Sequence, residues 1–209
     1  MTSEIHLNDL YHTVQGEGLN VGRRALFVRM PYCNLSCSWC DTSFNSFKPW
    51  QVGSFVKFAE SDPCRFAVIT GGEPAMHKHT PVVVQLLKQI GFYVAIETNG
   101  MFPVPPGIDW VCVSPKRDSD KTHGEPYFVC PEAAAVADEF KYVVDRGFRW
   151  KVLEKHNEEI LRGPQPSHLH WLSPEFTNFK ENVTNILSYV SRHPWWRLNL
   201  QTHKWVNIP

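Results

Sequence analysis

The sequence predicts an α/β fold, a partial and open (β/α)6-like barrel formed by a single domain over residues 1–209. Two observations carry this. Short apolar runs alternate with stripes at helical spacing, the pattern of a parallel sheet with helical crossovers. Almost every apolar run also ends on a polar or glycine-bearing motif, and parallel α/β folds gather their functional groups beyond the carboxyl ends of the strands. About six such strands curl into an open barrel and fall short of the eight that close one.

Ile5 to Val14 reads as an opening strand that ends on Gln15-Gly16-Glu17-Gly18, where two glycines around a carboxylate let the loop approach a neighbour closely. Ala25 to Met30 is a nearly continuous apolar run of the kind found in buried strands. From Phe44 to Pro63 the pattern is weak, with one short helix over Ser54–Glu60 that presents Phe55, Phe58 and Ala59. Phe66–Ile69 is a strand running into Thr70-Gly71-Gly72-Glu73-Pro74; a helix follows, with Val82, Val83, Leu86, Leu87 and Ile90 on its inner face and Gly91 as its stop. Phe92–Ile96 and Trp110–Val113 are strands that close on Glu97-Thr98 and on Ser114-Pro115-Lys116. The span from Arg117 to Pro131 lacks periodicity and reads as a surface loop. A strand over Phe140–Val144 precedes a helix over Lys151–Leu161, and Leu169–Leu172 runs into Ser173-Pro174. The last helix carries Phe179, Val183, Ile186, Leu187 and Val190 as its inner stripe, and Arg197–Leu200 is the final strand, leading to Gln201 and His203.

Composition narrows the function. Lysine plus arginine equals aspartate plus glutamate at 21 each, so no global field draws the chain to nucleic acid or to an anionic membrane surface. A small-molecule substrate fits better. Neither a leader pattern at Met1-Thr2-Ser3-Glu4 nor an apolar run near the ~18 residues of a membrane span is present, which implies a cytoplasmic protein. Cys33, Cys37 and Cys40 crowd one loop, which suits ligation in a reducing compartment better than cross-linking; Cys112, within an apolar run, reads as core.

Three thiols in eight residues can converge on one inorganic centre. A structural zinc site usually closes with four protein ligands, and here Cys64, His77 or His79 would have to supply the fourth. Three cysteines on an iron–sulfur cubane instead leave one iron open for chemistry. The CxxxCxxC spacing resembles the radical S-adenosylmethionine enzymes, and Thr70-Gly71-Gly72-Glu73 matches the motif that binds the cofactor's amino group in that superfamily. With Gln15-Gly16-Glu17-Gly18, Cys40-Asp41-Thr42, Glu97-Thr98-Asn99-Gly100, Ser114-Pro115-Lys116 and the terminal Gln201-Thr202-His203-Lys204-Trp205-Val206-Asn207-Ile208-Pro209, the chain resembles the 7-carboxy-7-deazaguanine synthase family.

That resemblance implies a radical S-adenosylmethionine barrel and a ring contraction of 6-carboxy-5,6,7,8-tetrahydropterin to 7-carboxy-7-deazaguanine with loss of ammonia. It implies a [4Fe-4S] cluster on Cys33, Cys37 and Cys40, S-adenosylmethionine, and Mg2+ at Thr42. Trp39, Cys40, Asp41, Gly72, Glu73, Ser114, Pro115, Lys116 and Ser173 would meet the cofactor; Val14, Gln15, Gly16, Arg29, Thr70 and Pro209 would meet the substrate. An electron donor such as a flavodoxin or ferredoxin and a homodimer follow by the same resemblance, with Trp195 or Trp196 available to an interface. Rim position adds Glu97, as an acceptor for the ribose, and His203, as a proton carrier when ammonia leaves. Two alternatives stay open at this point: a glycyl-radical activase, which acts on a protein partner, and a non-catalytic zinc-binding module.

Overall fold

The computed structural model describes residues 3–44, 46–154, 158 and 169–208. Pro209 and most of the helix expected over Lys151–Leu161, including His156 and Ile160, lie outside them.

Among the described residues the main sheet has eight strands. β2 (Asp9–Val14) lies antiparallel on β3 (Arg24–Met30), and from there β5 (Phe66–Gly71), β6 (Tyr93–Thr98), β7 (Trp110–Val113), β8 (Glu139–Val144), β9 (Leu169–Pro174) and β10 (Trp196–Leu198) all continue in parallel. Among the described residues no pairing joins β10 to β2, so the sheet remains an open, partial barrel. A two-stranded sheet pairs β1 (Glu4–Leu7) with β4 (Lys48–Gln51). The expected opening strand over Ile5–Val14 is therefore two strands that break at Asn8 and serve different sheets. β4 was hidden by its sequence, Lys48-Pro49-Trp50-Gln51, in which proline and lysine suit an edge strand but give no apolar run.

Two cores follow from the period of two. On β3, Leu26, Val28 and Met30 face the helices, as do Ala67 and Ile69 on β5 and Val94 and Ile96 on β6. The alternate positions face inward: Ala25, Phe66, Val68 and Ala95 form a small inner core, with Phe27 and Trp110 against it. Farther along the same columns the inward residues become Arg29, Thr70 and Glu97. Each strand is thus apolar at its start and functional at its end.

Helix α1 (Val52–Glu60) buries Phe55 and Ala59, and α2 (Thr80–Gln89) buries Val83, Val84 and Leu87, close to expectation. Beyond two short helices, α3 (Asp120–His123) and α4 (Pro131–Ala135), the sequence expectation needs three corrections. Helix α5 (Phe179–Val190) turns inward on Asn182, Ile186 and Tyr189, leaving Leu187 51% exposed, because Tyr189 packs on Trp150 and Trp196. Trp196 is itself 1% exposed and ring-packed against Tyr142 and His170, which removes it as an interface residue. The span Arg117–Pro131 is no plain surface loop: Ser119, Tyr127 and Cys130 are buried in it, and the Ser119 hydroxyl accepts the Phe128 amide and lies within donating distance of the Lys116 and Glu125 carbonyls.

Candidate active site

The cysteine loop springs from the end of β3 and is closed by a hydrogen bond from the Tyr32 amide to the Phe44 carbonyl. Buried Leu35 anchors it, and Asn34 accepts from the Asn99 side chain at 2.8 Å, tying the loop to the end of β6. Its three thiols line a cavity of about 170 Å³ together with Trp39, Gly72, Glu73 and Lys116. Burial pushes the Cys37 thiol up to about 11 and raises Cys33 as well, so neither is a ready thiolate nucleophile; a bound metal would favour their deprotonation. Among the described residues no three His, Cys, Asp or Glu side chains converge at single-ion distance, whereas a cubane asks each thiol to reach a different iron. Cys64 precedes β5 and bonds the Arg24 and Phe66 carbonyls at the opposite end of the sheet, and His79 Nδ1 accepts the His6 amide.

The glycine pair at the end of β5 lines the smaller cavity and also has a structural task. A Cβ on Gly71 would overlap the Met30 backbone and one on Gly72 the Tyr32 carbonyl, so both glycines serve chain-to-chain approach beneath the cysteine loop. The Gly72 and Glu73 amides then donate to Met30 and Tyr32. Glu73 is 1% exposed; its carboxylate accepts from the Ala75 and Asn99 amides and from the Thr98 hydroxyl at 2.6–2.8 Å, while burial raises its pKa. Three donors leave lone-pair capacity for one more, and an ammonium would complete the set.

A second cavity of about 480 Å³, in the usual range for small-molecule sites, adjoins the first. Glu17, Asp41, Thr70, Glu97 and Gln201 line both. Arg29 reaches into the larger one, with Nε donating to the Tyr11 hydroxyl and Nη1 to Thr42 Oγ1, which leaves Nη2 for a ligand. Val14, Gly16, Thr42 and His203 lie on the same wall. The His203 ring packs where a Gly16 Cβ would stand, and burial lowers its pKa, so the imidazole is neutral near pH 7 and able to accept a proton. Gln15 turns inward: its Nε2 donates to Glu97 and its Oε1 accepts the Glu17 amide.

Between the cavities stands Lys141, with its side chain 6% exposed, 2.8 Å from Glu17 and 2.9 Å from Glu97. Burial alone would raise Glu17; the Lys141 ammonium and the Gln201 amide overcome it and hold the carboxyl at about 2. A depressed carboxyl stabilises the fold above its unfolded value of 4.5 and loses that stabilisation as the pH falls toward 2. Urea denaturation of the metal-free protein is expected to lose about 3 kcal/mol across that window from this group, and Glu17→Gln to flatten the slope.

Several sequence-derived residues sit elsewhere or serve differently. Ser173 and Pro115 line neither cavity, and Ser173 Oγ accepts from Asn199. Ser114 lines the smaller cavity, but its hydroxyl is committed, donating to the Lys141 carbonyl and accepting from Lys116. Asp41 pairs with Lys204 at 2.6 Å. Sequence reasoning placed Gln201 on the rim but missed Tyr11, Glu17 and above all Lys141 as wall residues. A signal for Lys141 existed: in Glu139-Phe140-Lys141-Tyr142, charges alternate with aromatics inside a buried strand.

No protein-family model matches the chain. The 7-carboxy-7-deazaguanine synthase of Haemophilus influenzae is 32% identical over 206 residues, covering 96% of this chain and 92% of that protein, and the one from Synechocystis is 33% identical over 216 residues, covering 100% and 95%. The chain belongs to the 7-carboxy-7-deazaguanine synthase family. The crystal structure of QueE from Escherichia coli superposes with a TM-score of 0.75 at 25% identity, covering 94% of this chain and 93% of that one. Streptococcus suis SuiB bound to S-adenosylmethionine, at 13% identity and a TM-score of 0.51 over 83% of this chain and 48% of its own, shares the fold alone. As a 7-carboxy-7-deazaguanine synthase family member, the chain is a radical S-adenosylmethionine enzyme, which implies that cofactor and an iron–sulfur cluster. The family supersedes both the activase and the zinc-module readings. No described helix is long and apolar enough to cross a membrane.

Proposed function

We propose that the chain converts 6-carboxy-5,6,7,8-tetrahydropterin to 7-carboxy-7-deazaguanine with loss of ammonia, a step toward queuosine and other 7-deazapurines. The observation that carries this is the pair of adjoining cavities, one walled by three thiols and the Gly72-Glu73 turn, the other by Arg29 and His203. The test is anaerobic incubation of reconstituted protein with reductant, S-adenosylmethionine, Mg2+ and the carboxypterin. Formation of the deazaguanine acid supports the reading; 5′-deoxyadenosine without it would sink it.

In this reading Cys33, Cys37 and Cys40 hold the [4Fe-4S] cluster, which when reduced supplies the electron that cleaves the sulfonium. Trp39, Asp41, Gly72 and Glu73 orient the cofactor beside the open iron, and Glu97 presents an acceptor to the ribose. In the larger cavity the spare Arg29 donor takes the substrate carboxylate, and Val14, Gln15, Gly16 and Thr70 form the wall against the ring. His203 takes a proton from the substrate and passes it to the departing amine, which leaves as ammonia. Thr42 would give Mg2+ a hydroxyl ligand beside Arg29, which donates to the same oxygen, and substrate oxygens or water would supply the others. A flavodoxin-like or ferredoxin-like donor, a homodimer and a cytoplasmic setting that keeps the thiols reduced complete the proposal, with Pro209 as a further substrate contact.

Lys116 gives a sharper test. Lys116 is half-buried, with its ammonium 5.4 Å from the centre of the Trp39 ring and donating to the Ser114 hydroxyl, and among the described residues no carboxylate pairs with it. A buried cation without an anion is costly, and burial, with Lys141 nearby, lowers its pKa. The carboxylate of S-adenosylmethionine is the anion that fits. Lys116→Met is expected to weaken cofactor binding by about ten- to a hundredfold, the ~1.5–3 kcal/mol of a charged hydrogen bond, and to stabilise the cofactor-free protein; anaerobic calorimetry and thermal melts read both.

A further inference from the structure

Lys141 stands at the centre of a chain of polar contacts that runs from one cavity wall to the other. Gln201 Nε2 donates to Glu17 Oε1 at 3.0 Å, and Glu17 Oε2 meets the ammonium at 2.8 Å. The ammonium meets Glu97 Oε2 at 2.9 Å, and Glu97 Oε1 accepts from Gln15 Nε2 at 2.9 Å. The two end residues belong to different loops, one after β2 and one after β10, and the lysine comes from the inner face of β8. Both carboxylates line both cavities, whereas the lysine lines only the smaller.

This arrangement has one positive and two negative charges in a buried setting, where removing the lysine leaves two carboxylates uncompensated. Each carboxylate keeps lone-pair capacity toward the cavities. A ligand donor that engages Glu97 draws it from the ammonium, and the ammonium then leans on Glu17, changing how that carboxylate meets a ligand next door.

We propose that Lys141 is a positioning residue that couples the two cavities, so that S-adenosylmethionine in the smaller one raises the affinity of the larger one for the pterin. The inference rests on the assignment of the two ligands to the two cavities made above. It adds a thermodynamic link between them that the ligand contacts alone do not require.

The test uses cluster-reconstituted protein, anaerobic and unreduced so that no turnover occurs. Pterin affinity is measured by calorimetry with and without S-adenosylmethionine, with iron and sulfide content and circular dichroism confirming an intact holoprotein. The unaltered chain is expected to bind the pterin about tenfold more tightly with the cofactor present, within the usual ~5–150-fold for coupled sites. In Lys141→Met that ratio should fall to about one, and Lys141→Arg should restore part of it. Should Lys141→Met fail to fold, Lys141→Met with Glu17→Gln removes one stranded charge as well and should likewise lose the ratio that Glu17→Gln alone retains in part. A ratio unchanged without the lysine, or an unaltered chain that binds both ligands with no coupling, overturns the inference while leaving the proposed function standing. An unaltered chain that binds neither ligand overturns both.

Discussion

Replacing Cys37 with alanine is expected to yield a folded, colourless protein that makes no 7-carboxy-7-deazaguanine. The fold survives because the residue contributes little to it. Cys37 is only partly buried, it belongs to a loop without regular structure, and neither apolar core includes it. What holds the loop is the Tyr32 to Phe44 hydrogen bond, buried Leu35 and the Asn34–Asn99 link, none of which uses a thiol. What is lost is one of the three proposed iron ligands, and even an outer partner of a metal site is worth about 10–100-fold in affinity or activity. Loss of a direct ligand should exceed that and take the brown colour with it. Absorbance near 400 nm after anaerobic reconstitution, iron content and product formation are the measurements. A variant that retained a full complement of iron and sulfide and turned over normally would remove Cys37 from the cluster.

The fold and the chemistry were legible to different degrees, for physical reasons. β7 was bounded correctly by its sequence because Trp110 to Val113 is a closed apolar run between polar neighbours, and β3 and β5 differ from expectation by a residue or two at their ends. Three cysteines in eight residues have few other uses, so the knuckle was readable at once. β4 was not, because an edge strand is paired on one side only and needs no apolar run. The face of α5 was misread because helical spacing gives two neighbouring stripes, and only the tertiary partners Trp150 and Trp196 select the one bearing Tyr189. Lys141 escaped notice because its meaning depends on Glu17, 124 positions earlier, and on Glu97, 44 earlier. Long-range charge pairing leaves no local periodicity to read.

The glycine pair illustrates the same limit and yields the second large effect. The sequence shows that small residues are needed at the end of β5 but not what approaches them. The neighbour is the chain itself. A methyl group on Gly72 would overlap the Tyr32 carbonyl and crowd the Cys33 amide, and these are backbone atoms that cannot rotate away as a side chain would. The carbonyl also accepts the Glu73 amide, so pushing it aside breaks the bond that registers the cysteine loop against the end of β5. Gly72→Ala should therefore cost about 1–3 kcal/mol through overpacking, lowering Tm by roughly 2–12 °C, and should displace Cys33 enough to weaken cluster binding by about tenfold or more. Gly53→Ala, in α1, is the matched control: nothing lies within 4 Å of its added methyl, and a helix gains up to about 1 kcal/mol from that exchange. Thermal melts of the metal-free variants beside iron titration under anaerobic conditions separate the two effects. If Gly72→Ala melted and loaded its cluster like the Gly53→Ala control, close packing beneath the cysteine loop would not be what sets the thiols in place.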